Sequence, residues 1–215
     1  SNDTVSLGGY MNFIELNNGV KIPKIGYGVY RIPENGKTKE CVLQALKAGY
    51  RHIDTAQAYF NEKEVGEAIK ESGIDRKEIF LTTKIWITNF GDNKTYESFM
   101  KSLDKLGTEY VDLLLLHQPF GDYYGAWRDL ERIYKEGKAK AIGVSNFWPN
   151  RLVDLCGHVE IKPMINQIEI NPFDQKEDWR KWNNKYNVVS EAWGPFAEGR
   201  NNMFSNPTLL KIAEN

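Results

Sequence analysis

Two hydrophobic periods take turns along this chain. Stretches with apolar residues three and four apart end in glycine, and a short, almost continuously apolar run follows within a few residues. Val42, Leu43, Ala45 and Leu46 share one helical face ahead of Gly49; Val65, Ala68 and Ile69 do so ahead of Gly73. Phe99, Met100, Leu103 and Leu106 precede Gly107, and Trp127, Leu130, Ile133 and Tyr134 precede Gly137. Each glycine stands where a helix closes through a left-handed residue. The apolar runs are Ile25–Val29, Arg51–Asp54, Ile79–Ile85, Tyr110–Leu116, Ala139–Val144, Met164–Ile170 and Val188–Trp193. Runs apolar on both parities suit parallel strands covered on both faces. Ahead of them, Phe-Ile-Glu-Leu and Val-Lys-Ile-Pro flank Asn17-Asn18-Gly19, which predicts a β-hairpin that edges or plugs something larger.

The repetition is βα. Counting Ile25–Val29 as the first strand gives seven units, with the last helix read over Asn206–Ala213. An eight-stranded barrel takes about 250 residues, so the expected architecture is α/β, a (β/α)8 TIM barrel with an N-terminal β-hairpin and without its eighth βα unit. An open doubly wound sheet is the alternative, but its first turn carries G-x-G-x-x-G. Gly26-Tyr27-Gly28 lacks the third glycine and a helix directly after it.

Composition narrows the class. The chain has 215 residues, 41% hydrophobic and 27% charged, with a net charge of −1. That predicts one domain over residues 12–215, preceded at 1–11 by a tag or loose extension. Near-neutral charge gives no cationic surplus for nucleic acid. Cys41 and Cys156 fall in predicted helices without metal or redox spacing and are expected buried and free, as suits a reducing cytoplasm. No apolar run approaches the ~20 residues of a bilayer span, and no leader pattern opens the chain.

The chemistry collects at the strand ends, the face that carries function in barrel enzymes. There stand Asp54, with Tyr59 in the loop beyond it, Lys84 and His117, followed by Ser145, Asn146, Gln167 and Trp193. Taken alone, Asp54 reads equally well as a helix cap and Tyr59 as a rim residue. Together with Lys84 and His117 they form a set that handles protons. A phenol is a weak acid near neutral pH; an adjacent ammonium favours its phenolate, a carboxylate fixes the ammonium, and an imidazole can orient a carbonyl. The hydroxyl and amides of Ser145, Asn146 and Gln167 could hold a carboxamide, and Trp193 could stack on a flat ring. Metal chemistry is not expected, because His52, His117 and His158 have no ligand spacing. No G-x-S-x-G turn surrounds any serine.

Gly49-Tyr50-Arg51-His52-Ile53-Asp54-Thr55-Ala56, Thr83-Lys84-Ile85-Trp86, Leu115-Leu116-His117-Gln118-Pro119, Ile142-Gly143-Val144-Ser145-Asn146-Phe147 and Asn166-Gln167-Ile168-Glu169 stand in the order of the aldo-keto reductase signatures. The chain resembles that family from Phe13 to Asn215. Trp193, Gln118 and Gly194-Pro195-Phe196-Ala197 resemble its bacterial 2,5-diketo-D-gluconate reductase-like branch. The resemblance implies an NADPH-preferring carbonyl reductase without a Rossmann fold. Tyr59 would be the general acid, Lys84 and Asp54 would tune it, and His117 would orient the carbonyl. Ser145, Asn146 and Gln167 would take the NADP(H) carboxamide and Trp193 would stack on its ring, with Gly194, Pro195, Phe196 and Val29 beside the cofactor. Tyr30, Trp86 and Phe120 would wall a pocket for small carbonyl substrates. The family's eighth strand, its Lys-Ser…Arg segment for the 2′-phosphate and its closing loop have no counterpart in these residues, so an open edge between first and seventh strands is expected. A monomer is the implied state. The alternative function is a catalytically weak or regulatory barrel that binds cofactor for a partner.

Overall fold

The computed structural model describes residues 13–30, 32–33, 35–169, 174–195 and 208–212, with 193–195 and 208–212 described through their backbone. Strands β1 (Phe13–Glu15) and β2 (Lys21–Pro23) pair antiparallel around the Asn-Gly turn, with Ile14 opposite Ile22. Gly19 takes φ +87°, the left-handed conformation that this turn demands. Asn18 donates to the Lys140 carbonyl at 2.9 Å, so the hairpin covers the end of the barrel where strands begin.

The barrel follows. Its strands are β3 (Ile25–Gly28), β4 (His52–Asp54), β5 (Phe80–Ile85), β6 (Val111–Leu116), β7 (Ala139–Ser145), β8 (Ile165–Glu169), β9 (Val189–Pro195) and β10 (Thr208–Ile212). Helices α1 (Lys37–Lys47), α2 (Glu62–Glu71), α3 (Lys94–Leu106), α4 (Tyr123–Lys135), α5 (Pro149–His158) and α6 (Glu177–Lys185) follow β3 to β8 in turn. Strands β3 to β9 are parallel neighbours in chain order. Leu113, Leu114, Leu115 and Leu116 are all fully buried, as a parallel strand with helices outside and side chains inside requires. The predicted closing glycines Gly49, Gly73, Gly107 and Gly137 all have positive φ.

Three expectations need correction. The edge expected to stay open is closed, and Thr208–Ile212, read as part of a helix, is a strand antiparallel to both β3 and β9. Two facing edges each offer a row of unpaired backbone groups, and one strand between them satisfies both rows. A short isolated helical segment has no comparable gain. The eighth stave is therefore a strand of opposite sense rather than a βα unit. Met100, counted with the apolar face of α3, is 40% exposed. Phe99, Leu103 and Leu106 complete the buried stripe at four- and three-residue spacing, and Met100 lies about 100° round the helix from Phe99.

Close packing fixes the spacing of the outer ring. A Cβ built on Gly66 of α2 would stand 2.3 Å from the Leu106 carbonyl oxygen at the end of α3. Backbone cannot move aside as a side chain can. Gly66→Ala is therefore expected to force the helices apart and lower stability by about 1–3 kcal/mol, read as a lower urea midpoint with unchanged slope. An unaltered midpoint would show that the contact is slack.

Candidate active site

Register brings the predicted residues to one end of the barrel. Asp54 closes β4, and Lys84 lies near the end of β5, whose Thr82 is opposite Asp54. Ser145 at the end of β7 is opposite Gln167 of β8, which is opposite Glu191 of β9. His117 follows β6, its N–H donating to the Ile85 carbonyl at 3.1 Å.

Tyr59 arrives by a loop that is itself pinned. It ends a 3-10 turn over Gln57–Tyr59, after which Phe60 takes φ +56° to redirect the chain into α2. Asn61 donates to the carbonyls of Val29 at 3.0 Å and Ile32 at 3.2 Å, and accepts from Thr55 Oγ1 at 2.6 Å. Gln57 accepts from the Trp86 N–H and from Asn89 Nδ2, both at 2.9 Å. These bonds tie the turn to the loops after β3 and β5.

The Lys84 ammonium, 1% exposed, donates to Asp54 Oδ1, to the Thr55 carbonyl at 3.1 Å and to the Tyr59 hydroxyl at 3.4 Å. The His117 ring stands edge-on to Tyr59 with centroids 5.7 Å apart, and Trp86 lies 5.2 Å from His117. Tyr30 packs on Tyr59 at 5.3 Å. Phenol, ammonium, carboxylate and imidazole thus meet, with Tyr30 and Trp86 on the same wall. Phe120 does not join that wall among the described contacts. It is 44% exposed and pairs with Trp148 at 5.6 Å.

On the other side, Ser145 Oγ donates to the Gln167 backbone carbonyl at 3.1 Å and accepts from Asn146 Nδ2 at 3.2 Å. The Gln167 side chain donates to Asp54 Oδ2 at 2.9 Å. Val29 is fully buried, with its backbone N–H given to Asp54 and its carbonyl taken by Asn61. Trp193, Gly194 and Pro195 lie on β9, with side chains outside the described residues, and Phe196 lies outside them altogether.

Burial governs the protonation states. It pushes the Tyr59 phenol above its ordinary value, against the opposing pull of Lys84. The lysine therefore lessens the rise without reversing it, and the Tyr59 phenol stays protonated at neutral pH. Burial also works against the Lys84 charge, but Asp54 and the Tyr59 oxygen outweigh it and hold the ammonium above its usual range. Burial, helped by Lys84, drives His117 down to about 3, which keeps the imidazole neutral. His52 falls to about 4 for the same first reason, and Glu191 rises to about 8 through burial and the Asp54 charge.

These shifts predict the pH course of stability. The two depressed histidines contribute stability that is full above pH 6.5 and lost as pH falls towards 4 and 3. The raised Glu191 contributes stability that is full below pH 4.5 and lost as pH climbs to about 8. The three together set a maximum near pH 6.5. One proton amounts to about 1.4 kcal/mol per pH unit, so the loss from pH 6.5 to 8 is on the order of 2 kcal/mol. Denaturation midpoints across that range should fall for the wild type and flatten for Glu191→Gln. Parallel curves would refute the assignment.

Comparison with known proteins decides the family. The model of the Aldo/keto reductase family matches residues 24–207. The chain belongs to the aldo/keto reductase family. It is 43% identical over 202 residues to the glyoxal reductase of Bacillus subtilis, covering 94% of this chain and 72% of that one. A solved aldo/keto reductase from Brucella melitensis superposes with TM-score 0.85 at 44% identity, covering 87% of this chain and 74% of the other. The Bombyx mori aldo-keto reductase in complex with NADP superposes with TM-score 0.83 at 32% identity, over 89% and 70%.

In this aldo/keto reductase two participants escaped the sequence reading. Gln57, which braces the Tyr59 turn and the Trp86 backbone together, gave no signal, since a glutamine in a loop has no periodicity to violate. Glu191 did give one. It is an acid inside an otherwise apolar strand.

Proposed function

We propose that this chain reduces aldehydes and ketones to alcohols with NADP(H), with Tyr59 as general acid. The observation that carries the reading is the contact of the Tyr59 hydroxyl with a buried ammonium that is itself held by Asp54. Such a site keeps the phenol protonated before reaction and shelters the phenolate after it.

The donor set beside it fits a nicotinamide. Ser145, Asn146 and Gln167 offer amide and hydroxyl groups at adjoining strand tips, across from the wall of Tyr30, Tyr59 and Trp86, and Gln167 reaches Asp54. An aromatic ring bearing a carboxamide asks for that combination of flat apolar surface and polar edge. When bound, the reduced nicotinamide supplies hydride to the carbonyl carbon. Neutral His117 orients the carbonyl by a hydrogen bond without adding charge. Tyr59 gives its proton to the oxygen as negative charge builds there, so C=O becomes CH–OH. Lys84 stabilises the resulting phenolate, and solvent returns the proton. The Bacillus relative's name as a glyoxal reductase and the NADP in the Bombyx structure support small carbonyl substrates and this cofactor. The net charge of −1 speaks against a nucleic-acid partner, the buried free cysteines suit a reducing cytoplasm, and the monomeric state rests on the family resemblance.

The test follows cofactor oxidation with glyoxal and with an aromatic aldehyde, using NADPH and NADH in parallel and identifying the alcohol formed. Oxidation matched mole for mole by alcohol is expected. NADPH binding without any turnover would favour the regulatory alternative.

A further inference from the structure

Most buried polar groups outside the tetrad are accounted for by local architecture. The Glu62 carboxylate accepts from Thr83 and Ser102, and Arg76 is engaged by Asp112, Thr108 and two carbonyls. Glu191 is different. Its side chain is fully buried in the barrel, Gln167 donates to its Oε1, and its Oε2 has no hydrogen-bond partner among the described residues. An ionised carboxylate with one bare oxygen is costly to bury, so the acid form suits this position.

What Glu191 does follows from Gln167. The same Gln167 nitrogen also donates to Asp54 Oδ2 at 2.9 Å, so both amide N–H bonds go to carboxyl oxygens. The reversed amide would set a carbonyl oxygen against the Asp54 carboxylate, the ionic partner of Lys84, whereas the acid form of Glu191 could meet either end of the amide. One orientation is therefore enforced. In it, the hydrogen-bonding atom that Gln167 has left to offer a ligand is an acceptor. The partner must be a donor.

We infer that Glu191 is a positioning residue: Asp54 sets the polarity of the Gln167 amide and Glu191 takes its second N–H, which holds Gln167 Oε1 where it receives an N–H from the nicotinamide carboxamide. The inference rests on the reductase reading. It also makes Glu191 the far end of a chain that runs through Gln167, Asp54 and Lys84 to the Tyr59 hydroxyl.

The test uses the full chain and two cofactors, NADPH and its reduced 3-acetylpyridine analogue, in which an acetyl group without N–H replaces the carboxamide. The wild type should prefer NADPH by about ten-fold or more, the worth of one well-made hydrogen bond. Glu191→Gln, the isostere of the neutral acid, should keep that ratio. Glu191→Leu should bring it towards one, raising KM for NADPH much more than it lowers kcat. Glu191→Ala serves as a second variant lacking the carboxyl, should leucine prevent folding. A folded Leu or Ala variant that keeps the wild-type ratio, or a Gln variant that loses it equally, overturns the inference while reduction itself stands. A wild type that binds no NADPH overturns both.

Discussion

Replacing Lys84 by methionine is expected to lower kcat by about 10²–10⁴ and to cost about 3–5 kcal/mol of stability. Methionine fills most of the volume but gives no hydrogen bond. Asp54 would then lie at 2% exposure without its counter-ion, supported by the Gln167 side chain. A buried charge stripped of its partner is the costly case, whereas removing both partners restores an apolar contact. The double variant Asp54→Leu/Lys84→Met should therefore regain much of the stability lost in the single one. It should regain none of the activity, because nothing remains to hold the Tyr59 phenolate. Denaturation midpoints and initial rates on the three proteins separate the two effects. A single variant within about 1 kcal/mol of wild type would mean that the pair behaves like a solvated one.

How much of this was legible in the sequence depends on which interactions set each feature. The βα rhythm was readable because apolar periodicity and closing glycines are local. Seven strands lie within one or two residues of where the runs place them, from Ile25–Gly28 to Val189–Pro195. The convergence of Asp54, Tyr59, Lys84 and His117 was readable because strand tips of a parallel barrel share one face. The strand at Thr208–Ile212 was not, since its conformation comes from two edges distant in sequence. The net rise of the Tyr59 phenol was missed too. A neighbouring lysine can be read from position, but the larger effect is burial by the assembled wall. Residue type alone marks Gln167 as a candidate cofactor group. Its ties to Asp54 and Glu191 depend on a register between β8 and β9 that the chain reveals only when folded.

Tyr59→Phe is the second large effect expected. The substitution deletes one oxygen and keeps the ring that packs on Tyr30 and stands edge-on to His117. The Asn61 and Gln57 bonds that shape the turn are untouched, because they run through other side chains and the backbone. Stability and cofactor affinity should stay close to wild type. The Lys84 ammonium keeps Asp54 and the Thr55 carbonyl as partners, so no buried charge is stranded. Proton delivery to the developing alkoxide is lost, and general acid catalysis of this kind is worth about 10²–10⁴ in rate. The direct measurement is the single-turnover rate of NADPH oxidation by saturating glyoxal, taken on wild type and Tyr59→Phe after both have bound cofactor. A fall of about 10²–10⁴ with unchanged NADPH affinity is the predicted result; equal single-turnover rates in the two proteins would contradict the assignment of Tyr59 as the proton donor.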